Sequence, residues 1–122
     1  MNPERVVIVG ASNNPERYSH RAFLLLRKHG HEVVPVHPKL AEIEGVPVVA
    51  DVSLISGPVD TVTMYVGAAI SAGLQEKLIA LRPGRIIFNP GAENASLADA
   101  LRKAGIASEE ACTLVLLNTG QF

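Results

Sequence analysis

Apolar positions along this chain come in two alternating patterns. Short, dense β-branched runs end at Gly, Pro or Asn, and the longer stretches between them carry apolar residues at helical spacing. The run from Arg5 to Gly10, Arg-Val-Val-Ile-Val-Gly, reads as a fully buried strand. A polar loop, Ala11 to Tyr18, leads to a helix predicted over 20–29. Ser19 is its expected N-cap, Ala22, Phe23, Leu25 and Leu26 form its apolar face, and Gly30 is its stop. Glu32 to Val36 is a second strand, and Pro35 counts against a central place in a sheet.

The following stretch is less regular. Val46-Pro47-Val48-Val49 predicts a short strand confined to an edge by its proline, and a helical turn follows Ser53. Asp60 to Val66 is another β-rich run. Ala69 to Leu81 predicts a helix with Leu74, Leu78 and Leu81 on one stripe, and Pro83-Gly84 marks a turn. Arg85 to Phe88 is a strand, and Asn89-Pro90-Gly91 is a loop. Ser96-x-x-Asp99 resembles a capping box that opens a helix ending at Gly105. Ile106 to Ser108 predicts a last strand, while 111–122 is apolar without a decisive period. Strands alternating with helices across short connections predict βαβ units. The expected architecture is α/β, a Rossmann-like three-layer αβα sandwich on a mainly parallel sheet of five to six strands. All 122 residues are expected to form a single domain, since a chain of this length buries roughly two-thirds of its unfolded surface.

Composition narrows the partners. Val, Ile, Leu and Ala supply most of the 48% apolar fraction and aromatics only 4%, which suits a helix-covered parallel sheet and ill suits a base-stacking surface. A formal net charge of −1 argues against nucleic acid or an anionic membrane as partner. No apolar run reaches bilayer length, no signal peptide precedes the first strand, and Cys112 has no second cysteine to pair with. The expectation is a cytoplasmic protein.

In an open parallel sheet, ligands bind beyond the carboxyl ends of the strands, where strand order reverses. That directs attention to the loops at 10–19, 36–40, 66–69 and 88–94. Gly10-Ala11-Ser12 follows a buried strand and precedes a helix, the setting in which backbone N–H groups and a helix N-terminus cradle phosphate. Arg17 adds a charge-assisted donor. The glycine pattern of a dinucleotide fold, G-x-G-x-x-G, is absent, so the loop by itself also fits a strand that ends in a solvated turn. After the second strand stand His37-Pro38-Lys39, where a nicotinamide site places Asp or Glu for the ribose hydroxyls. A lysine there suits a phosphorylated ribose, which leaves coenzyme A or NADP, or else it is an ordinary surface lysine.

The residues V-x-x-V-G-A-S-x-x-P-x-R-x-S-H-R over Val6 to Arg21, and Pro35-Val36-His37-Pro38-Lys39, resemble the small CoA-binding-domain proteins. They are similar to the N-terminal CoA-binding domain of succinyl-CoA synthetase α subunits and of ADP-forming acyl-CoA synthetases. The resemblance continues through Ile86 to Asn94 and Glu110-Ala111-Cys112. It implies coenzyme A or an acyl-CoA as ligand. Gly10, Ala11, Ser12 and Arg17 are then expected to hold phosphates, with Ser19 at the helix start and Pro38 and Lys39 facing the ribose phosphate. Val66, Gly67, Asn89 and Gly91 are expected along the adenine or pantetheine path. Many relatives carry arginine just after the middle strand, where this chain has Tyr65-Val66-Gly67, and the further phosphohistidine domain of the synthetases is not expected within these 122 residues. The expected role is a carrier, sensor or regulatory module without catalytic machinery of its own. The alternatives are an NADP-binding reductase-like domain and a CoA-site subunit of a separately encoded synthetase. A protein partner or a homodimer stays open.

Other chemistry is sparse. His20, His29, His31 and His37 have no metal-ligand spacing. His20 reads as a cap or a neighbour of the ligand loop, and His29 and His31 as solvated. Ser12 and Ser19 have no accompanying base, which leaves them as donor and cap. Cys112 reads as a small buried apolar residue or as a thiol near that of CoA.

Overall fold

The computed structural model describes residues 2–122. Its elements follow the order β1 (Arg5–Val9), α1 (Tyr18–Lys28), β2 (Glu32–Val36), β3 (Glu42–Ile43), β4 (Val46–Pro47), β5 (Thr61–Met64), α2 (Ala68–Ser71), α3 (Gln75–Leu81), β6 (Arg85–Phe88), α4 (Ala95–Lys103), β7 (Ala107–Glu110) and α5 (Thr113–Asn118). Five strands form one sheet in the order β2-β1-β5-β6-β7, and each neighbouring pair is parallel. This is the expected Rossmann-like fold.

Side-chain alternation along β1 divides the core. Val6 and Ile8 pack with Phe23 and Leu26 of α1 and Leu117 of α5. Val7 and Val9 pack with Leu78 of α3 and Leu97 and Leu101 of α4 on the opposite face. Dense β-branched runs are required because the central strands are covered on both sides. No helix is long and apolar enough to cross a membrane among the described residues.

Register sets the site. Val36, Val9, Met64, Phe88 and Glu110 lie side by side across the sheet, so five connections leave along one edge. β2 is an outer strand, which accommodates Pro35. Val46–Pro47 pairs antiparallel with Glu42–Ile43 as a separate hairpin, and Val49 bridges Val36.

Several element boundaries and one burial assignment differ from expectation. α1 begins at Tyr18 with Arg17 as N-cap, so Ser19 is its second residue and buried, not a cap. The turn is already set upstream: Asn14 Oδ1 accepts from the Glu16 N–H, and Asn14 O from the Arg17 N–H. In α4 the N-cap is Asn94, whose Oδ1 accepts from the Leu97 N–H at 3.0 Å, and Ser96 lies inside the helix. The helix expected over 69–81 is interrupted by a 3-10 turn at Ala72–Leu74 around Gly73, the weakest helix former in the segment. Leu74 and Leu81 still pack against the core beside buried Leu78.

His31 is buried, not solvated. Its Nδ1 accepts from the Glu4 N–H at 2.9 Å, and its ring lies 5.2 Å from that of Phe122. Phe122 in turn lies under the Arg85 guanidinium at 4.5 Å. The tail folds back because Gln121 and Phe122 both donate to Leu116 O, an arrangement no local period announces.

Candidate functional site

A cleft of about 730 Å³ opens along the carboxyl edge of the sheet. It is centred between β1 and β5, where the chain goes to β2 on one side and later to β5 on the other, and its size is ordinary for a small-molecule site. Its walls are Val9 to Ser12, the α1 start from Arg17 to Ser19, Val36 to Pro38, Ala50 to Val52, Tyr65 to Gly67 with Ile70 and Leu74, and Pro90 to Ala92. Of the site residues expected from sequence, Gly10, Ala11, Ser12, Arg17, Ser19, Pro38, Val66, Gly67 and Gly91 line this cleft. Lys39 and Asn89 are not part of its lining.

The loop after β1 divides its donors. The Gly10 and Ala11 N–H groups both donate to Val36 O, at 3.3 and 3.2 Å, and so extend the β1–β2 seam instead of facing a ligand. The Ser12, Asn13, Tyr18 and Ser19 N–H groups have no acceptor among the described residues. The Arg17 side chain makes no capping bond to α1, and no acidic residue stands in its first turn. No acidic residue of the helix itself offsets the partial positive charge of that terminus, a geometry able to receive an anion. Arg17 lines the same wall and has no carboxylate partner among the described residues.

Gly10 serves packing. Its φ is +90°, and a Cβ there would stand 2.9 Å from Val66 Cγ1 and 3.2 Å from the Tyr65 carbonyl carbon. Only glycine permits that conformation and lets the end of β1 press on the segment after β5.

Beyond β2, His37 Nδ1 accepts from the Lys39 and Leu40 N–H groups at 3.0 and 3.2 Å, which fixes the turn. Lys39 lies exposed, without a carboxylate partner among the described residues. Asp51, not anticipated from sequence, joins this wall. Its carboxylate accepts from the Ser53 hydroxyl, from the Ser53 N–H at 3.1 Å and from Lys77 Nζ at 3.0 Å. These bonds, the hydroxyl's foremost, hold it at about 2. The Asp-x-Ser pattern at 51–53 is a signal that could have pointed to a capping carboxylate there.

The far wall is apolar. Tyr18 and Ile70, 67% and 62% exposed, face the cleft from α1 and α2. Neither follows from the sequence pattern, because only the fold brings both to one cleft. Burial pushes the Tyr65 hydroxyl up to about 12, against the opposing pull of the neighbouring Thr63 and Thr113 side chains. Asn89 stands behind the site. Its Nδ2 donates to Thr63 Oγ1 at 2.6 Å and to Met64 O at 2.9 Å, and its Oδ1 accepts from the Thr113 N–H at 2.9 Å. These bonds tie β5 to the start of α5. Cys112 precedes α5, half-buried and outside the cleft lining. No group of three His, Cys, Asp or Glu among the described residues is arranged to hold a metal ion.

Comparison with known proteins fits this geometry. The uncharacterised protein YneT of Bacillus subtilis is 32% identical over 76 residues, 62% of this chain and 56% of that protein. The α subunit of ADP-forming acetate–CoA ligase II of Pyrococcus furiosus is 33% identical over 66 residues, 53% of this chain and 14% of that one. The match thus spans just over half of the first curated relative and a small part of the second. A crystal structure of an uncharacterised protein superposes over 100% of both chains with a TM-score of 0.94 and 37% identity. The CoA binding domain family matches residues 4–118, nearly the whole length, and the chain belongs to that family.

Proposed function

We propose that this chain binds coenzyme A or an acyl-CoA in the cleft after β1 and serves as a single-domain cytoplasmic carrier, sensor or regulatory module. The observation that carries the reading is the set of unmatched donors on residues lining one cleft: the Ser12, Tyr18 and Ser19 N–H groups beside unpaired Arg17. Such a cluster suits a pyrophosphate. The ribose phosphate then lies toward His37–Lys39, with Lys39 reaching in from the rim. The pantetheine arm runs along the uncharged wall of Val66, Gly67, Ile70 and Gly91. Membership of the CoA binding domain family supports the ligand class.

Calorimetry with CoA, dephospho-CoA, NADP and NAD tests the assignment. CoA is expected to bind best. Lys39→Ala is expected to erase the preference for CoA over dephospho-CoA and to leave Tm unchanged, since Lys39 is exposed and unpaired. Tighter binding of NADP than of CoA overturns the reading. The likeness to a ligase α subunit favours one other role, that of lending this site to a separately encoded synthetase. Copurification of such a subunit with the tagged chain from its own cells distinguishes the two.

A further inference from the structure

The cleft's phosphate loop is held from behind by a histidine and a glutamate that do not line the cleft themselves. His20, in the first turn of α1, is 2% exposed. Its Nδ1 lies 2.7 Å from the Ser12 carbonyl oxygen. A carbonyl can only accept, so the shared proton sits on Nδ1. On the far side of the ring, Nε2 lies 3.4 Å from Glu44 Oε1, and because Nδ1 donates to the carbonyl this second contact is a hydrogen bond when Nε2 carries a proton as well, in the imidazolium form. In a trans peptide the C=O and the next N–H point opposite ways. A Ser12 carbonyl drawn to His20 therefore turns the Asn13 N–H away from it, and that N–H has no acceptor among the described residues.

Glu44 occupies a costly position. It and Gly45 have φ of +50° and +78° and form the two-residue turn between paired Ile43 and Val46. Asn, Asp or Gly is favoured at both central positions of such a turn, and glutamate is strained there. Nothing within the hairpin compensates for that choice. What the carboxylate gains is His20. The same hairpin holds the loop a second time, because Asn13 Nδ2 donates to Glu42 O at 3.3 Å.

Resting on the CoA reading above, we propose that Glu44 and His20 are positioning residues of the phosphate site. Glu44 on the β3–β4 turn orients His20, and His20 fixes the Ser12–Asn13 peptide and so the place of Ser12 in the cleft wall. Backbone strain at Glu44 is retained because the loop is thereby ordered before the ligand arrives.

The test uses Glu44→Asn, which suits the turn and removes the carboxylate, together with His20→Ala and His20→Gln, the last retaining a side-chain donor. Stability is read by urea unfolding, CoA affinity by calorimetry, and loop order by ¹⁵N relaxation of the Ser12 to Asn14 amides. Glu44→Asn is expected to unfold at the same or higher urea while binding CoA about three- to tenfold more weakly, with added motion at Ser12 to Asn14. His20→Ala should weaken binding at least as much, and His20→Gln should restore part of the loss. A Glu44→Asn protein with wild-type affinity and wild-type loop order overturns the proposal. So does one whose affinity falls only as far as its stability does. A wild-type protein that binds no CoA instead sinks the CoA reading, and the relaxation measurement then decides the positioning role alone.

Discussion

At the scale of single residues, the site rests on small departures from what the sequence pattern suggests. Gly10 looked like a place for a phosphate to approach, yet its N–H is taken by Val36 and its missing Cβ makes room for Val66. Gly10→Ala is expected to destabilise the protein by about 1–3 kcal/mol in urea unfolding, from a strained positive φ and a contact that must open. Arg17 is the opposite case, an unpaired cation whose removal leaves nothing buried behind. Arg17→Ala is expected to lower CoA affinity about 10- to 100-fold in calorimetry, the weight of a charge-assisted bond, with Tm unchanged. Asn89, expected along the adenine or pantetheine path, stands behind the cleft lining and turns its amide to Thr63, Met64 and Thr113.

At the scale of elements, the run-and-break pattern located every helix and strand of the main sheet up to Ser108, because central strands covered on both faces need unbroken β-branched runs. Boundaries were less legible. Two caps can compete within a few residues, and only the three-dimensional turn selects one. Asn94 won over Ser96 because its side chain reaches the Leu97 N–H and also donates to Ser71 Oγ at 2.9 Å. Asn94→Ala is expected to cost about 1 kcal/mol in chemical unfolding, and Ser96→Ala less than about 0.5 kcal/mol. Equal losses would return the cap to Ser96. Of the β3–β4 hairpin only Val46–Pro47 is legible, within the edge strand expected over 46–49, since β3 is two residues long and Glu-Gly is an uncommon turn.

At the scale of the whole molecule, the two ends of the sheet do different work. The carboxyl end carries the cleft, while the amino end is closed by Glu4, His31, Arg85 and Phe122. Burial keeps the His31 imidazole below its usual 6.5. Above that pH both folded and unfolded chains hold it neutral. As pH falls through 6.5 the unfolded chain takes the proton first, so stability falls until the lower folded value is passed. Unfolding free energy measured between pH 7.5 and 5.5 is expected to decline by at most about 1.4 kcal/mol per pH unit from this group, and His31→Gln should flatten that slope. An unchanged slope would assign the pH dependence to other groups. The amino acid sequence by itself determined the parallel α/β fold, the sheet edge along which the cleft opens and the family, because burial on both faces and loop chemistry are written in local runs and short motifs. Only the tertiary structure decided which donors around Gly10-Ala11-Ser12 remain free, that Tyr18, Asp51 and Ile70 share the cleft, and that Glu44 meets His20. Those facts depend on distances between segments far apart in the chain, which no local pattern records.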